Sequence, residues 1–375
     1  MIIRERAKMK TKNLVKEKSI ELLKQKNVKA LILSPSANMS YLTGFNTFPG
    51  ERLLVSILTD TGENIFIVPK LYESEVREKA EFDQLISWND TQDPVDILKI
   101  IGEKYNLNNC DIAIEETMWF TVFNKIFTSL KDVNYINAAE IVGELRQCKS
   151  SVEQDKMRNA SQAADKALSN ILSKIKPGLK EIEVRDMLEA EMKNIGTSGP
   201  AFPTIIGSGP NSAQCHYGTG ERVLQEGDSL VMDFGCLLDN YCSDTTRTIV
   251  IGQASDKYKS IYAILKKAQQ LAIDKVRPGI KACEVDFAAR KYITDKGYGD
   301  YFIHRTGHGI GLEVHELPYI TESSEVVLKP GMIFSIEPGI YLEGEFGIRI
   351  EDLVLVTEDG VEVLNQFTKE LIEAK

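Results

Sequence analysis

Residues 224–248 read LQEGDSLVMDFGCLLDNYCSDTTRT, and residues 328–339 read LKPGMIFSIEPG. Leu224, Gly227 and Asp233 in the first stretch recur as Leu328, Gly331 and Glu337 in the second, offset by 104. A second anchor has the same order. Pro177-Gly178-Leu179-Lys180 with Glu183-Val184 recurs as Pro278-Gly279-Ile280-Lys281 with Glu284-Val285, offset by 101. Two anchors at nearly equal offsets indicate an internal duplication. Each copy reads as helix, Pro-Gly turn, helix, loop, and a strand that delivers an acid. Two such halves facing each other about a pseudo-two-fold would bring their acids together.

The acids sit where carboxylates are costly. Asp233 ends the apolar run Ser229 to Phe234, and Glu337 ends the run Met332 to Ile336. Asp244 follows Asp233 at hairpin distance, and Glu351 lies on the expected return strand Ile348 to Val356. A buried carboxylate without a partner costs several kcal/mol, roughly. Asp233, Asp244, Glu337 and Glu351 outnumber the basic residues near them, so divalent cations are the economical partners. The loop Thr306-Gly307-His308-Gly309-Ile310-Gly311 adds one imidazole, and its glycines would let the backbone pass close to an ion. Oxygen donors with a single nitrogen point to two ions sharing bridging carboxylates. All four histidines of the chain, His216, His304, His308 and His315, lie near this constellation in sequence. Arg349 and Glu351 are two apart, which places them on one strand face.

The 375 residues suit two domains, and 43% hydrophobic content can fill a sizeable core. A net charge of -10 argues against nucleic acid or an anionic membrane as partner. The six cysteines include no CxxC and no framework spacing, which suits a reducing cytoplasm. No stretch approaches the roughly 18 apolar residues needed to cross a bilayer. The basic opening MIIRERAKMKTKNLVKEK has no apolar core, so it is read as a frayed arm rather than a signal peptide, with Met9 as an alternative start.

Before the duplication, strands and helices alternate. Helices are expected over 12–26, Asp93–Tyr105 and Thr117–Ser129. Strands are expected at Ala30–Leu33, Leu53–Leu58, Asn64–Val68 and Ile112–Ile114. This pattern predicts an α/β domain over 1–148. A long polar helix from Ser150 through Leu172, ended by Pro177-Gly178, opens the second domain, 149–375.

Five ordered segments of the second half carry a family resemblance: FPTIIGSGPNSAQCHY (202–217), DFGCLLDNYCSDTTRT (233–248), FIHRTGHGIGLEVHELP (302–318), SIEPGIY (335–341) and GIRIED (347–352). They resemble the pita-bread metallopeptidases, and specifically the prolidase and aminopeptidase P branch. Residues 1–148 resemble the amino-terminal domain of prolidase, aminopeptidase P and creatinase. The resemblance implies an α+β chain: a curved antiparallel sheet with helix pairs, preceded by the α/β domain. It also implies metal-dependent hydrolysis of the Xaa-Pro bond in dipeptides or short peptides, by a hydroxide bridging two divalent ions. Manganese is the expected metal, with cobalt or zinc as substitutes. By the same resemblance Asp233 chelates one ion, Asp244 and Glu351 bridge both, and His308 and Glu337 complete the second site. Glu337 would also shuttle the proton, and His216 and His315 would hold the substrate and stabilise the oxyanion. His304 would line the substrate pocket or support the ligands. Arg349 would orient Glu351 or a substrate carboxyl, unless it forms a structural ion pair with Asp352 or another acid. Tyr241, beside the acid-bearing strand, is read as packing. A homodimer is expected by analogy.

The chain departs from the family pattern at one informative place. Many prolidases have an arginine between the His315 segment and the Glu337 strand, whereas residues 316–328 here contain no Arg or Lys. Tyr319 and Ser323 stand in those positions, and Lys329, Arg349 or another subunit would have to substitute. Two other readings of the same fold are a metal-free, creatinase-like C–N hydrolase and a non-catalytic peptide-binding module. Retention of all five ligand types argues against both.

Overall fold

A computed structural model gives the fold; residues 2–374 are described, with side chains from Leu14 to Ala374. The expected frayed opening and the alternative start at Met9 lie outside the described side chains. The chain divides into two compact units, Met1–Arg146 and Gln147–Lys375.

The first unit is built on a six-stranded sheet. In chain order its elements are α1 (Ile2–Gln25), β1 (Val28–Leu33), α2 (Ala37–Thr43), β2 (Val55–Thr59), β3 (Asn64–Pro69), α3 (Glu73–Lys79), β4 (Gln84–Trp88), α4 (Pro94–Lys104), β5 (Asp111–Ile114), α5 (Phe120–Ser129), β6 (Asn134–Asn137) and α6 (Val142–Gln147). The sheet order is β4-β3-β2-β1-β5-β6. β1, β2 and β3 pair antiparallel, and the outer strands pair parallel. The period-2 alternation of β1 divides two cores. Leu31 and Leu33 pack with Met39, Phe45, Phe66 and Val68 on one face. Ala30 and Ile32 pack with Leu98, Ile101, Val122 and Ile126 on the other. Helices therefore cover both faces, as the alternation of elements predicts. Asp93 caps α4 by accepting from the Val95 N–H, which explains its start one residue after the expected one.

The second unit carries the duplication in its hydrogen bonds. Its helices are α7 (Ser151–Ile171), α8 (Glu181–Asn194), α9 (Asp256–Lys275) and α10 (Ala282–Asp295). Ser150 starts α7 in a capping box with Glu153. The Gly178 N–H donates to the Leu224 carbonyl, and the Gly279 N–H donates to the Leu328 carbonyl. Lys180 bridges to Val223 and Lys281 to Val327, while the Lys180 ammonium pairs with Glu221 and that of Lys281 with Glu325. Residues 101 to 104 apart thus make the same contacts in both halves.

Each half stacks its helix pair on a sheet. The first sheet has the order β19 (Glu373–Ala374), β11 (Thr245–Ile251), β8 (Ser229–Phe234), β7 (Ile205–Ser208), and α7 and α8 cover it. The second has the order β13 (Glu316–Ile320), β12 (Gly307–Gly309), β14 (Ile333–Ile336), β17 (Asp352–Val356), β18 (Val361–Val363), with α9 and α10 against it. Two short hairpins extend the sheets: β9 (Leu237–Leu238) with β10 (Tyr241–Cys242), and β15 (Gly339–Leu342) with β16 (Phe346–Arg349). Among the described residues no helix is long and apolar enough to cross a membrane.

A buried guanidinium ties the halves together. Arg247 of β11 is 2% exposed and donates to Asp352 of β17 at 2.6 Å. It also donates to the carbonyls of Thr246, Glu351, Phe367 and Thr368. The second oxygen of Asp352 accepts from Lys369 at 2.7 Å and from Gln269 at 2.9 Å. Removing one partner of such a pair strands a buried charge, at about 3–5 kcal/mol. Asp352→Ala is therefore expected to destabilise the second unit by about that amount, with a smaller loss for Asp352→Asn. Urea unfolding checks this: the midpoint should fall at unchanged slope, and a midpoint within error of the parent would show that the network contributes nothing.

Candidate metal centre

The acids lie where the two sheets fork. In the second half, Ile336 pairs with Asp352 across β14 and β17, and Gly339 pairs with Arg349 across β15 and β16. Glu337 and Glu351 occupy the gap between these ladders. The expected single return strand Ile348–Val356 is thus two strands, broken at Ile350-Glu351. The break belongs to the site: the Glu351 N–H turns to the Thr246 carbonyl at 3.1 Å, across to the other half. The first half forks in the same way. Phe234 pairs with Thr245, and Asp244 lies between that ladder and the β9–β10 hairpin. Asp233 stays in the ladder, opposite Thr246 on β11 and Ile205 on β7.

His308 comes from β12, which is squeezed between β13 and β14. A Cβ on Gly307 would lie 1.8 Å from the Ser335 carbonyl oxygen, and one on Gly309 would lie 2.2 Å from that of Leu317. The neighbouring strands, rather than the passage of an ion, thus impose glycine on both sides of His308. The segment is also held from α10. Asp286 accepts from the N–H and the hydroxyl of Thr306, and Arg290 donates to the carbonyls of Phe302 and His304.

These elements bring the sequence-predicted ligands into one cleft. One ligand atom each from Asp244, His308 and Glu351 lies within 4.8 Å of the others, and all three residues are buried. The His308 Nε2 is 3.2 Å from a Glu337 oxygen and 3.6 Å from an Asp244 oxygen. Ser335 donates to Glu337 at 3.1 Å and accepts from the His308 backbone N–H at 3.1 Å. Asp233 enters through Arg349, which donates to its Oδ2 at 2.5 Å.

Crowding raises the carboxylates. Burial, then the charges of Glu351 and Asp233, pushes Asp244 well above the ordinary carboxylate range. Burial, then Glu337 and Asp233, does the same to Glu351. Burial also raises Asp233, with Arg349 opposing. Glu337 goes the other way: burial works to raise it, but His308, His304 and Arg349 together hold it at about 2. Two carboxylate oxygens, Asp233 Oδ1 and Glu351 Oε1, are buried with no hydrogen-bond partner. Buried acceptors of this kind are rare in a finished structure and call for a cation. The donor set, oxygen-rich with one imidazole, fits hard or borderline divalent ions.

The surrounding side chains include two that the sequence reading did not single out. Thr246 donates to Glu351 at 2.6 Å and accepts from the Arg349 Nε at 3.0 Å. The Tyr341 hydroxyl accepts from Arg349 at 2.8 Å and meets the His304 Nε2 at 2.9 Å. Both lie inside quoted motifs, but their partners are distant in sequence. Arg349 thus reaches Glu351 through Thr246 and forms its ion pair with Asp233, not with Asp352, which Arg247 and Lys369 occupy. His304 is held between the Tyr341 hydroxyl and the Arg305 carbonyl. His315 stacks edge-on against His308, with ring centroids 4.2 Å apart. Although one edge reaches solvent, partial burial and then the charges of His308 and Arg305 push its imidazole down to about 4. His216 lies in an exposed turn close enough to His315 to contribute to that shift. Tyr241 is buried and donates to Glu153 of the α7 capping box at 2.9 Å. Glu316, beside His315, forms a buried pair with Lys149 at 3.3 Å.

Comparison with known proteins gives this arrangement a family. Residues 155–358 match metallopeptidase family M24, and residues 16–148 match the creatinase/prolidase N-terminal domain. The chain is 35% identical to an Xaa-Pro dipeptidase of Pyrococcus furiosus over 95% of its own length and 99% of the relative's. The structure of a dipeptidase from Pyrococcus horikoshii superposes with a TM-score of 0.90 at 39% identity, covering 96% of this chain and 99% of that one. An X-Pro aminopeptidase from Thermotoga maritima superposes with a TM-score of 0.83 at 31% identity, covering 95% and 99%. Every acid of the forked cleft, together with His308, falls within the matched 155–358, and the chain belongs to metallopeptidase family M24, behind a creatinase/prolidase N-terminal domain.

Proposed function

We propose that this protein hydrolyses the peptide bond before proline in Xaa-Pro dipeptides or short peptides, using two divalent cations. The observation that carries the reading is the convergence of Asp244, His308 and Glu351 in a buried cleft that leaves carboxylate oxygens of Asp233 and Glu351 unpartnered. The substrate class rests on the relatives: proteins matched over nearly their whole length are named for Xaa-Pro dipeptides, and another for X-Pro aminopeptidase activity.

Charge favours two ions over one. The cleft sets four carboxylates against the single guanidinium of Arg349. One divalent ion leaves that set negative, and a second makes it positive, which suits a carbonyl oxygen and an anionic nucleophile. Asp233 and Asp244 would hold one ion, and Asp244 and Glu351 would be shared. His308 and Glu337 would complete the other. Oxygen-rich ligation suits manganese, with cobalt or zinc as substitutes. Bound there, the cations supply an acidified water and polarise the scissile carbonyl.

The side chains do the rest. Glu337, held ionised, accepts the proton released by the attacking water and passes it to the leaving proline nitrogen. His315, neutral at pH 7 because its pKa is depressed to about 4, offers an N–H to the carbonyl oxygen without adding charge. His216, in an exposed turn near His315, holds the substrate from the exposed side and shares in stabilising the oxyanion. Arg349 fixes Asp233 directly and Glu351 through Thr246, so the acids keep their geometry when cations are exchanged.

The deciding experiment is hydrolysis of matched Xaa-Pro, Xaa-Pro-Xaa and Xaa-Ala-Xaa peptides with manganese added. Cleavage of either proline peptide and not the third supports the reading, and silence on all three overturns it. Asp244→Ala or Glu351→Ala is expected to abolish both turnover and stoichiometric metal uptake, since each removes a shared ligand. Metal analysis after dialysis checks this, and full activity in either variant would sink the two-ion assignment. His216→Ala should keep its metal while kcat falls roughly 10²- to 10³-fold, the scale of a lost oxyanion contact. Parallel loss of metal would instead make His216 a ligand.

A further inference from the structure

Residues 316–328, which follow His315, contain no Arg or Lys to grip a substrate's C-terminal carboxylate, and Lys329 is an exposed residue beyond them, just before the β14 strand. Arg349 is 3% exposed and bonded to Asp233, Tyr341, Thr246 and the Cys215 carbonyl, so it faces the acids. The cleft receives a cation from another direction. Arg305 lies between His304 and His308 in sequence, and its guanidinium stacks over the Tyr319 ring at 4.4 Å from the centroid. Among the described residues, its guanidinium has no carboxylate partner and donates no hydrogen bond to protein.

The register of the sheet fixes where that guanidinium stands. Tyr319 of β13 is the direct cross-strand partner of His308 of β12. Side chains directly opposite on antiparallel strands project to the same face, with Cβ atoms about 5 Å apart. The Tyr319 ring therefore lies on the face that presents the His308 imidazole to the acids. Tyr319 is 40% exposed, which leaves the stacked cation open to solvent and ligand. A planar guanidinium pre-oriented on an aromatic face loses little freedom on binding and matches a carboxylate bidentately. In an Xaa-Pro dipeptide the free carboxylate is only a few bonds from the scissile carbonyl.

We infer that Arg305, held on the Tyr319 ring, receives the C-terminal carboxylate of a dipeptide substrate and makes this chain favour Xaa-Pro dipeptides over longer or blocked peptides. This rests on the Xaa-Pro reading and deepens it. Tyr319 is a positioning residue, acting through the stack.

The test compares alanylproline with alanylprolinamide, which differ only in the terminal charge, at a fixed manganese concentration. A charge-assisted pair is worth about 1.5–3 kcal/mol, or roughly a 10- to 100-fold preference in kcat/KM for the free acid. That preference should collapse to near one in Arg305→Ala, through KM more than kcat. Tyr319→Leu should lose part of it, and Arg305→Lys should keep a fraction. Because the readout is a ratio within each variant, partial loss of folded protein does not mimic the effect. If Arg305→Ala yields no folded protein, Tyr319→Leu and Arg305→Lys carry the test. As a second readout, product inhibition by proline should exceed that by prolinamide in the parent and not in Arg305→Ala. Retention of the full ratio in Arg305→Ala, or a parent that cleaves the amide as well as the acid, would overturn the inference and leave the Xaa-Pro reading standing. Failure of the parent on both substrates would likewise overturn the inference, and only added silence on Xaa-Pro-Xaa peptides would remove the Xaa-Pro reading itself.

Discussion

Four carboxylates share one buried cleft, and most of the second unit can be understood as the means of keeping them there. Burial and mutual repulsion raise Asp233, Asp244 and Glu351. An acid in that situation ordinarily neutralises itself by taking a proton. Here the surroundings give three of the four acids a reason to keep their place. Arg349 binds Asp233, Thr246 holds one oxygen of Glu351, and Ser335 and His308 hold Glu337. The oxygens left without partners on Asp233 and Glu351 are those that cations would take. Outside this set, Arg247 and Asp352 join the two halves with a complete network of their own, so the backbone that presents Glu351 is fixed without drawing on the acids.

The duplication explains how such a cleft arises from ordinary parts. A single copy delivers acids at the fork of one sheet and buries that sheet's core face under its own helix pair. The two copies bring their forks together, where the Glu351 N–H of one half meets the Thr246 carbonyl of the other. The repeated contacts at Gly178 and Gly279, and at Lys180 and Lys281, show that the two copies still fold by the same local rules. The copies differ where the chemistry differs. The first contributes Asp233 from within a ladder, whereas the second contributes Glu337 from just beyond one.

Much of this was readable from the chain. The apolar runs ending in Asp233 and Glu337 gave both the strands and the acids, because an acid after an apolar run has few structural uses. His308 stood out through its glycines, although the reason for them differs: Gly307 and Gly309 are required by the carbonyls of Ser335 and Leu317. The long helix expected from Ser150 starts there, where Ser150 and Glu153 form a capping box. What escaped depends on contacts between distant segments. Thr246 and Tyr341 look like ordinary strand residues until Arg349 is placed between them. The split of Ile348–Val356 into two strands follows from two competing ladders, which no local pattern announces. The short strands β4 and β6 went unread because their half-exposed residues lack a strong period.

In the proposed reading, one segment ties ligation to specificity. Between Phe302 and Gly309 the chain carries His304, which braces Tyr341 and through it Arg349, then Arg305, which carries the free cation, and then His308. Asp286 and Arg290 of α10 grip this segment at Thr306 and at the carbonyls of Phe302 and His304. Arg290 also stacks on Phe302 at 4.2 Å. A shift of the segment would therefore move the proposed imidazole ligand and the proposed carboxylate receptor together. The distance between the reacting carbonyl and the substrate's charged end is short and set by covalent geometry, so the two receptors must keep a fixed separation. Carrying both on one short stretch, clamped by one helix, meets that requirement more directly than a cation on the separate 316–328 loop would.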